Sequence, residues 1–87
     1  MAYFCVSYDL IAQKDYAGLI GRINEYDSVR VQLSFWLVSA TTSASALKDD
    51  LAGYMDQDDK LMIVEFTKKP HFTKALQGTN SWLADHF

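Results

Sequence analysis

Ala2-Tyr3-Phe4-Cys5-Val6-Ser7-Tyr8-Asp9 is the stretch on which the reading of this chain turns. Tyr3, Phe4, Cys5, Val6 and Tyr8 form an aromatic-rich apolar run with one small polar interruption at Ser7, which predicts a strand over residues 2–8. A period of two places Phe4, Val6 and Tyr8 on one face of that strand and Tyr3, Cys5, Ser7 and Asp9 on the other. Asp9 therefore falls at the C-terminal edge, where an α/β sheet usually presents its ligand groups.

Working outward, Tyr16, Leu19, Ile20 and Ile23 recur at helical spacing and predict a helix over residues 15–26, with Asp15 able to cap its start. Gly18 and Gly21 weaken that helix by up to about 1 kcal/mol each relative to Ala, and close packing on a sheet is the expected reason for them. Asp27-Ser28 signals a turn. Val29, Val31 and Leu33 then alternate with Arg30 and Gln32, and a second extended run covers residues 35–39. The two strands meet near Leu33-Ser34, as a tight hairpin or as a long bent ribbon. Thr41, Thr42 and Ser43 are N-cap candidates for a helix over residues 44–55, whose apolar stripe is Leu47, Leu51, Tyr54 and Met55. A last strand is predicted over residues 61–66.

The order β-α-β-β-α-β, with both helices on one face, is the ferredoxin-like plan of an α+β domain. Residues 1–87 form one such domain, with a core over about residues 2–66 and a tail over about residues 67–87. The tail holds breakers at Pro70 and Gly78 and a helical turn expected at residues 81–86, with Trp82, Leu83 and Phe87. Hydrophobic residues make up 49% and aromatic ones 14%, which excludes global disorder. A chain this short buries only roughly 60–65% of its unfolded surface, so a partner surface is expected to complete the core. A homodimer is the expected form, with the tail adding to the partner's sheet edge and Trp36, Trp82 and Phe87 in the interface.

Cys5 is the sole cysteine, which excludes an intrachain disulfide and a cysteine-based zinc site. No apolar run approaches the ~20 residues of a membrane span and the N-terminus lacks a signal-peptide pattern, so a cytoplasmic protein without membrane contact is expected. The net charge of −3 argues against coating nucleic acid by charge alone.

Asp9 is the first candidate for chemistry, although a strand-end Asp more often caps a turn. One carboxylate is too few to hold and use a divalent cation; a two-fold dimer doubles it. Arg30 is able to grip phosphate bidentately, set against the commoner solvated Arg on an outer sheet face. Ser34 is able to hydrogen-bond a phosphate, but as a nucleophile it lacks a histidine partner, since His71 and His86 lie in the tail and read as surface residues. Residues 56–59 read as a solvated acidic turn, interrupted at Lys60 as a calcium loop. Lys68, Lys69 and Lys74 are a modest basic cluster, enough for two or three phosphate contacts. Phe35 and Trp36 point to opposite faces, one into the core and the other into an interface.

Tyr8-Asp9-Leu10, followed by Arg30-Val31-Gln32-Leu33-Ser34-Phe35-Trp36, resembles CRISPR-associated protein 2 and, more loosely, VapD-type ribonucleases. The resemblance covers about residues 2–66 in element order and these two motifs in detail. It implies a small ferredoxin-like nuclease in which Asp9 binds Mg²⁺ or Mn²⁺ together with its copy across a dimer axis. Tyr8, Arg30, Ser34 and Trp36 are implied as supporting residues, and Arg30, Lys68 and Lys69 as contacts to nucleic acid. The first helix departs from the DNA-gripping members in offering only Lys14 and Arg22. Two functions follow: a homodimeric metal-dependent phosphodiesterase acting on RNA or DNA, or a non-catalytic dimeric adaptor or inhibitor that binds a protein or an anionic ligand.

Overall fold

The expected first strand forms as β1 (Ala2–Asp9) and is hydrogen-bonded along both edges, which makes it an inner strand. The computed structural model describes residues 1–10 and 16–87. After β1 come α1 (Ala17–Asn24), β2 (Asp27–Gln32), β3 (Phe35–Ala40), α2 (Ala44–Ala52), β4 (Lys60–Phe66) and α3 (Thr79–His86). The sheet order is β2-β3-β1-β4 with every neighbouring pair antiparallel, which is the ferredoxin-like arrangement. Val6 stands opposite both Trp36 and Ile63, so β1 sets the register of both flanking strands.

The alternation predicted for β1 governs two packed layers. Phe4, Val6 and Tyr8 join Trp36, Val38 and Ala40 of β3 beneath Leu19 and Ile23 of α1 and Leu47 and Leu51 of α2. On the opposite face Val29, Val31 and Leu37 pack under Trp82 and Leu83 of α3, with Tyr3, Cys5, Phe35 and Phe66 at the margin. The β2–β3 connection is the tight hairpin, two residues long at Leu33-Ser34, with a register shift between Arg30 and Gln32.

Ser43 is the residue that caps α2, its hydroxyl accepting from the Ala46 backbone N–H at 3.1 Å. That helix ends at Ala52, earlier than its apolar stripe suggests. Tyr16 precedes α1 without a side-chain cap bond, and the expected cap Asp15 lies outside the described residues. Gly18 and Gly21 are both exposed. A Cβ at Gly18 would meet only the Tyr54 ring, at 3.7 Å, and one at Gly21 would meet nothing within 4 Å, so sheet packing does not explain either glycine. The two helices are joined by Arg22, whose guanidinium bonds the Asp50 carboxylate at 2.9–3.1 Å and also pairs with Glu25. The Tyr26 hydroxyl donates to the same Asp50. The acidic turn is not merely solvated, because the Asp59 carboxylate accepts from the Asp56 backbone N–H at 2.9 Å and from the Tyr16 hydroxyl at 3.1–3.2 Å.

Within the chain the tail packs on its own sheet. It crosses its own sheet on the face away from α1 and α2, where the Leu76 N–H donates to the Val31 carbonyl of edge strand β2 at 2.8 Å. Gly78, at φ +100°, turns the chain into α3, a conformation that side-chain-bearing residues adopt only with strain. Asp27 then latches the helix: Trp82 Nε1 donates to one carboxylate oxygen, and His86 Nε2 lies beside the other, both at 3.0 Å. His86 is therefore no surface residue; its side chain is 15% exposed and its ring lies 4.2 Å from that of Trp82. Trp36 and Trp82, expected in an interface, are 3% and 7% exposed within a single chain and are core residues. Phe87 stays 43% exposed while stacking on Phe66 and Tyr3.

Gly21→Ala raises the unfolding free energy by up to about 1 kcal/mol, because it removes the backbone-entropy penalty of glycine and meets no steric obstacle. Urea denaturation measures it. A second expectation concerns Asp50, whose carboxyl the Arg22 guanidinium and the Tyr26 hydroxyl hold below the ordinary 3.8. A depressed folded-state value stabilises the fold above the unfolded value and is lost as pH falls through the folded one. Asp50→Asn is thus less stable than the parent at neutral pH, and the gap narrows below about pH 4 in denaturant titrations run across pH.

Candidate functional site

Asp9 ends β1 with its side chain exposed, on the face opposite the buried Tyr8. It stands across the ladder from Lys60, beside the register pair Ser7 and Met62. These residues, with Tyr8 and Leu61, line an open depression at this end of the sheet. Met62 and Val64 of edge strand β4 are 66% and 50% exposed, so the part of the face that α3 leaves open is apolar with a carboxylate and a lysine at its margin.

Behind Asp9 the hairpin is held by one backbone carbonyl. The Leu33 oxygen accepts from the Tyr8 hydroxyl at 3.3 Å and from Arg30 through Nε at 3.0 Å and Nη2 at 2.6 Å. The Tyr8 hydroxyl in turn accepts from Trp36 Nε1 at 3.1 Å, and the Tyr8 backbone N–H donates to the Ser34 carbonyl at 3.1 Å. The Arg30 guanidinium carbon lies 5.4 Å from the Trp36 ring centre, within cation–π range. Sequence reasoning grouped Tyr8, Arg30, Ser34 and Trp36, and the structure brings all four together at one end of the β2–β3 hairpin. They are tied together by internal hydrogen bonds. Tyr8 is 6% exposed and both bonds of its hydroxyl are internal, so within the chain it fixes the turn beside Asp9. Arg30 shares the helix-side face with Trp36, not an outer sheet face, and two of its three nitrogens are engaged by Leu33. Ser34 is exposed in the turn.

Lys68, Lys69 and Lys74 follow β4 and are all exposed, some distance along the chain from Asp9. The Leu33 carbonyl and the Asp27 latch carry no sequence signal: the first is backbone, and the second joins residues 55 positions apart.

For a divalent cation the Asp9 carboxylate is a suitable hard oxygen donor, but within one chain it stands opposite a lysine. Among the described residues no group of three or more His, Cys, Asp or Glu is placed to hold a metal. One chain alone therefore does not supply the donor set. Among the described residues, too, no helix is long and apolar enough to cross a membrane.

Tyr8→Phe should destabilise the fold by about 1–3 kcal/mol, because it leaves the buried Trp36 indole N–H without its acceptor. Thermal denaturation followed by circular dichroism reads this loss.

The model of a family described as CRISPR associated protein Cas2 matches residues 1–74 of the chain, which takes in β1 to β4 and stops short of α3. A search of curated proteins finds no match.

Proposed function

The chain belongs to the CRISPR-associated protein Cas2 family, and from that premise we propose that it is a phosphodiesterase which cleaves RNA or DNA as a homodimer, using Mg²⁺ or Mn²⁺. The observation that supports this reading is the position of Asp9: an exposed carboxylate at the margin of the open apolar patch formed by Met62 and Val64. A second copy laid on that patch across a two-fold axis covers both apolar side chains and doubles the carboxylate. Two carboxylates supply what one chain lacks, and a divalent cation bound there lowers the pKa of a bound water and adds positive charge beside a phosphate. In this scheme Tyr8 and Trp36 hold the hairpin, and Ser34 in its turn is a hydrogen-bonding group for phosphate. Arg30 adds positive charge through the nitrogen that Leu33 does not engage.

The adaptor reading draws on the same geometry. Lys60 beside Asp9, and an Arg30 already bonded to Leu33, weaken the site for cleavage, and the net charge of −3 weakens it for nucleic acid.

Purified protein incubated with labelled RNA and DNA in Mg²⁺ or Mn²⁺ should cleave one of them, and Asp9→Asn should abolish cleavage with the fold intact by circular dichroism. Equal cleavage by the Asn variant removes Asp9 from the site. No cleavage and no affinity for either nucleic acid at low salt leaves the adaptor reading in place.

A further inference from the structure

Where the tail crosses the second face of the sheet it roofs a cavity of about 200 Å³. Cys5 of β1, Val31 of β2 and Phe35 and Leu37 of β3 form the floor, and His71 and Phe72 of the tail form the rim. The Gln32 amide also borders it. An apolar cavity of roughly 150 Å³ accepts a benzene ring, whereas drug-sized and cofactor sites run to roughly 300–1,000 Å³. The space therefore suits one planar ring system and excludes a whole dinucleotide.

The chemistry around it narrows the ring. Phe35 and Phe72 put two aromatic residues in the lining, and Gln32 adds a residue whose amide carries both a donor and an acceptor. Burial pushes the Cys5 thiol up from its ordinary value, so at neutral pH the wall there is uncharged. Lys68 and Lys69 immediately precede the rim segment and Lys74 follows it, and residues 67–78 contain no acid. All three lysines are exposed. An aromatic-lined slot of one-ring size, on a segment that carries exposed lysines, is the pattern that binds single-stranded nucleic acid through stacked bases and tracked phosphates.

We infer that this cavity receives one unpaired nucleobase of a single-stranded nucleic acid, with the adjoining phosphates on Lys68, Lys69 and Lys74. The inference rests on the nucleic-acid reading above and adds how the strand is held. Cys5 and Asp9 lie on the same face of β1, four residues or about 13 Å apart.

Anisotropy titrations of short labelled single-stranded RNA and DNA, run at low salt in EDTA, test binding apart from cleavage. Single strands should bind, and a matched duplex or an abasic strand of equal charge should bind more weakly. Phe72→Ala, at a side chain already 40% exposed, should cost roughly 5- to 150-fold in affinity for single strands. Lys69→Ala should lower the slope of log affinity against log salt by about 0.7, the share of one phosphate on a single strand. Equal affinity for abasic and base-bearing strands overturns the inference, as does an unchanged affinity in Phe72→Ala, or binding of an acidic peptide in place of oligonucleotides. Cleavage in Mn²⁺ that survives Phe72→Ala at the parent's KM refutes the base site and leaves the Asp9 reading standing. Base-dependent binding without cleavage does the reverse.

Discussion

β1 is bonded to a neighbour on each edge and packed against a layer on each face, so the registers of β3 and β4 and both packed layers depend on it. Phe4 and Val6 are fully buried against α1 and α2, while Tyr3 and Cys5 lie at the margin of the α3 layer. A slip of one residue would exchange these two sets and drive Ser7 and Asp9 toward the apolar interior. The placement of Asp9 in the open is thus a by-product of core packing. Tyr8 must point inward, so its neighbour must point out.

The second anchor is the hairpin turn, and it works through a backbone oxygen. With Tyr8 and Arg30 both donating to the Leu33 carbonyl, the turn is tied to the central strand and to its own β2 arm at once. The net worth of each such bond is about 1 kcal/mol, but the buried indole and phenol groups would cost more if left unpaired. The short motif that runs from Arg30 to Trp36 is therefore intelligible as a device for shaping a turn, whatever chemistry is done in front of it.

Element order and the faces of β1 were legible in the sequence because period-two alternation is a local signal, and so was the helical stripe of Leu47 and Leu51. The motif pair led to the right family. The tail's course over its own sheet was not legible. Its apolar residues were read as surplus for a partner, since nothing local says that Trp82 finds an acceptor at Asp27 or that Leu76 bonds to β2. Gly78 marked a break but not its direction. The same non-locality hid the roofed cavity, whose walls come from three strands, the tail and α3, and it hid the enclosed state of His86.

The two tryptophans fall in different layers: Trp36 lies among the side chains under α1 and α2, and Trp82 in the cluster under α3. The sheet separates them. Their indoles also face different surroundings, Trp36 bonded to a phenol and Trp82 to a carboxylate. The chain thus carries one intrinsic optical reporter for each side of the sheet. With one indole replaced by phenylalanine, the emission of the other follows a single layer. Loosening of the α3 cover, which lies outside the family match, becomes separable from melting of the ferredoxin-like core beneath it.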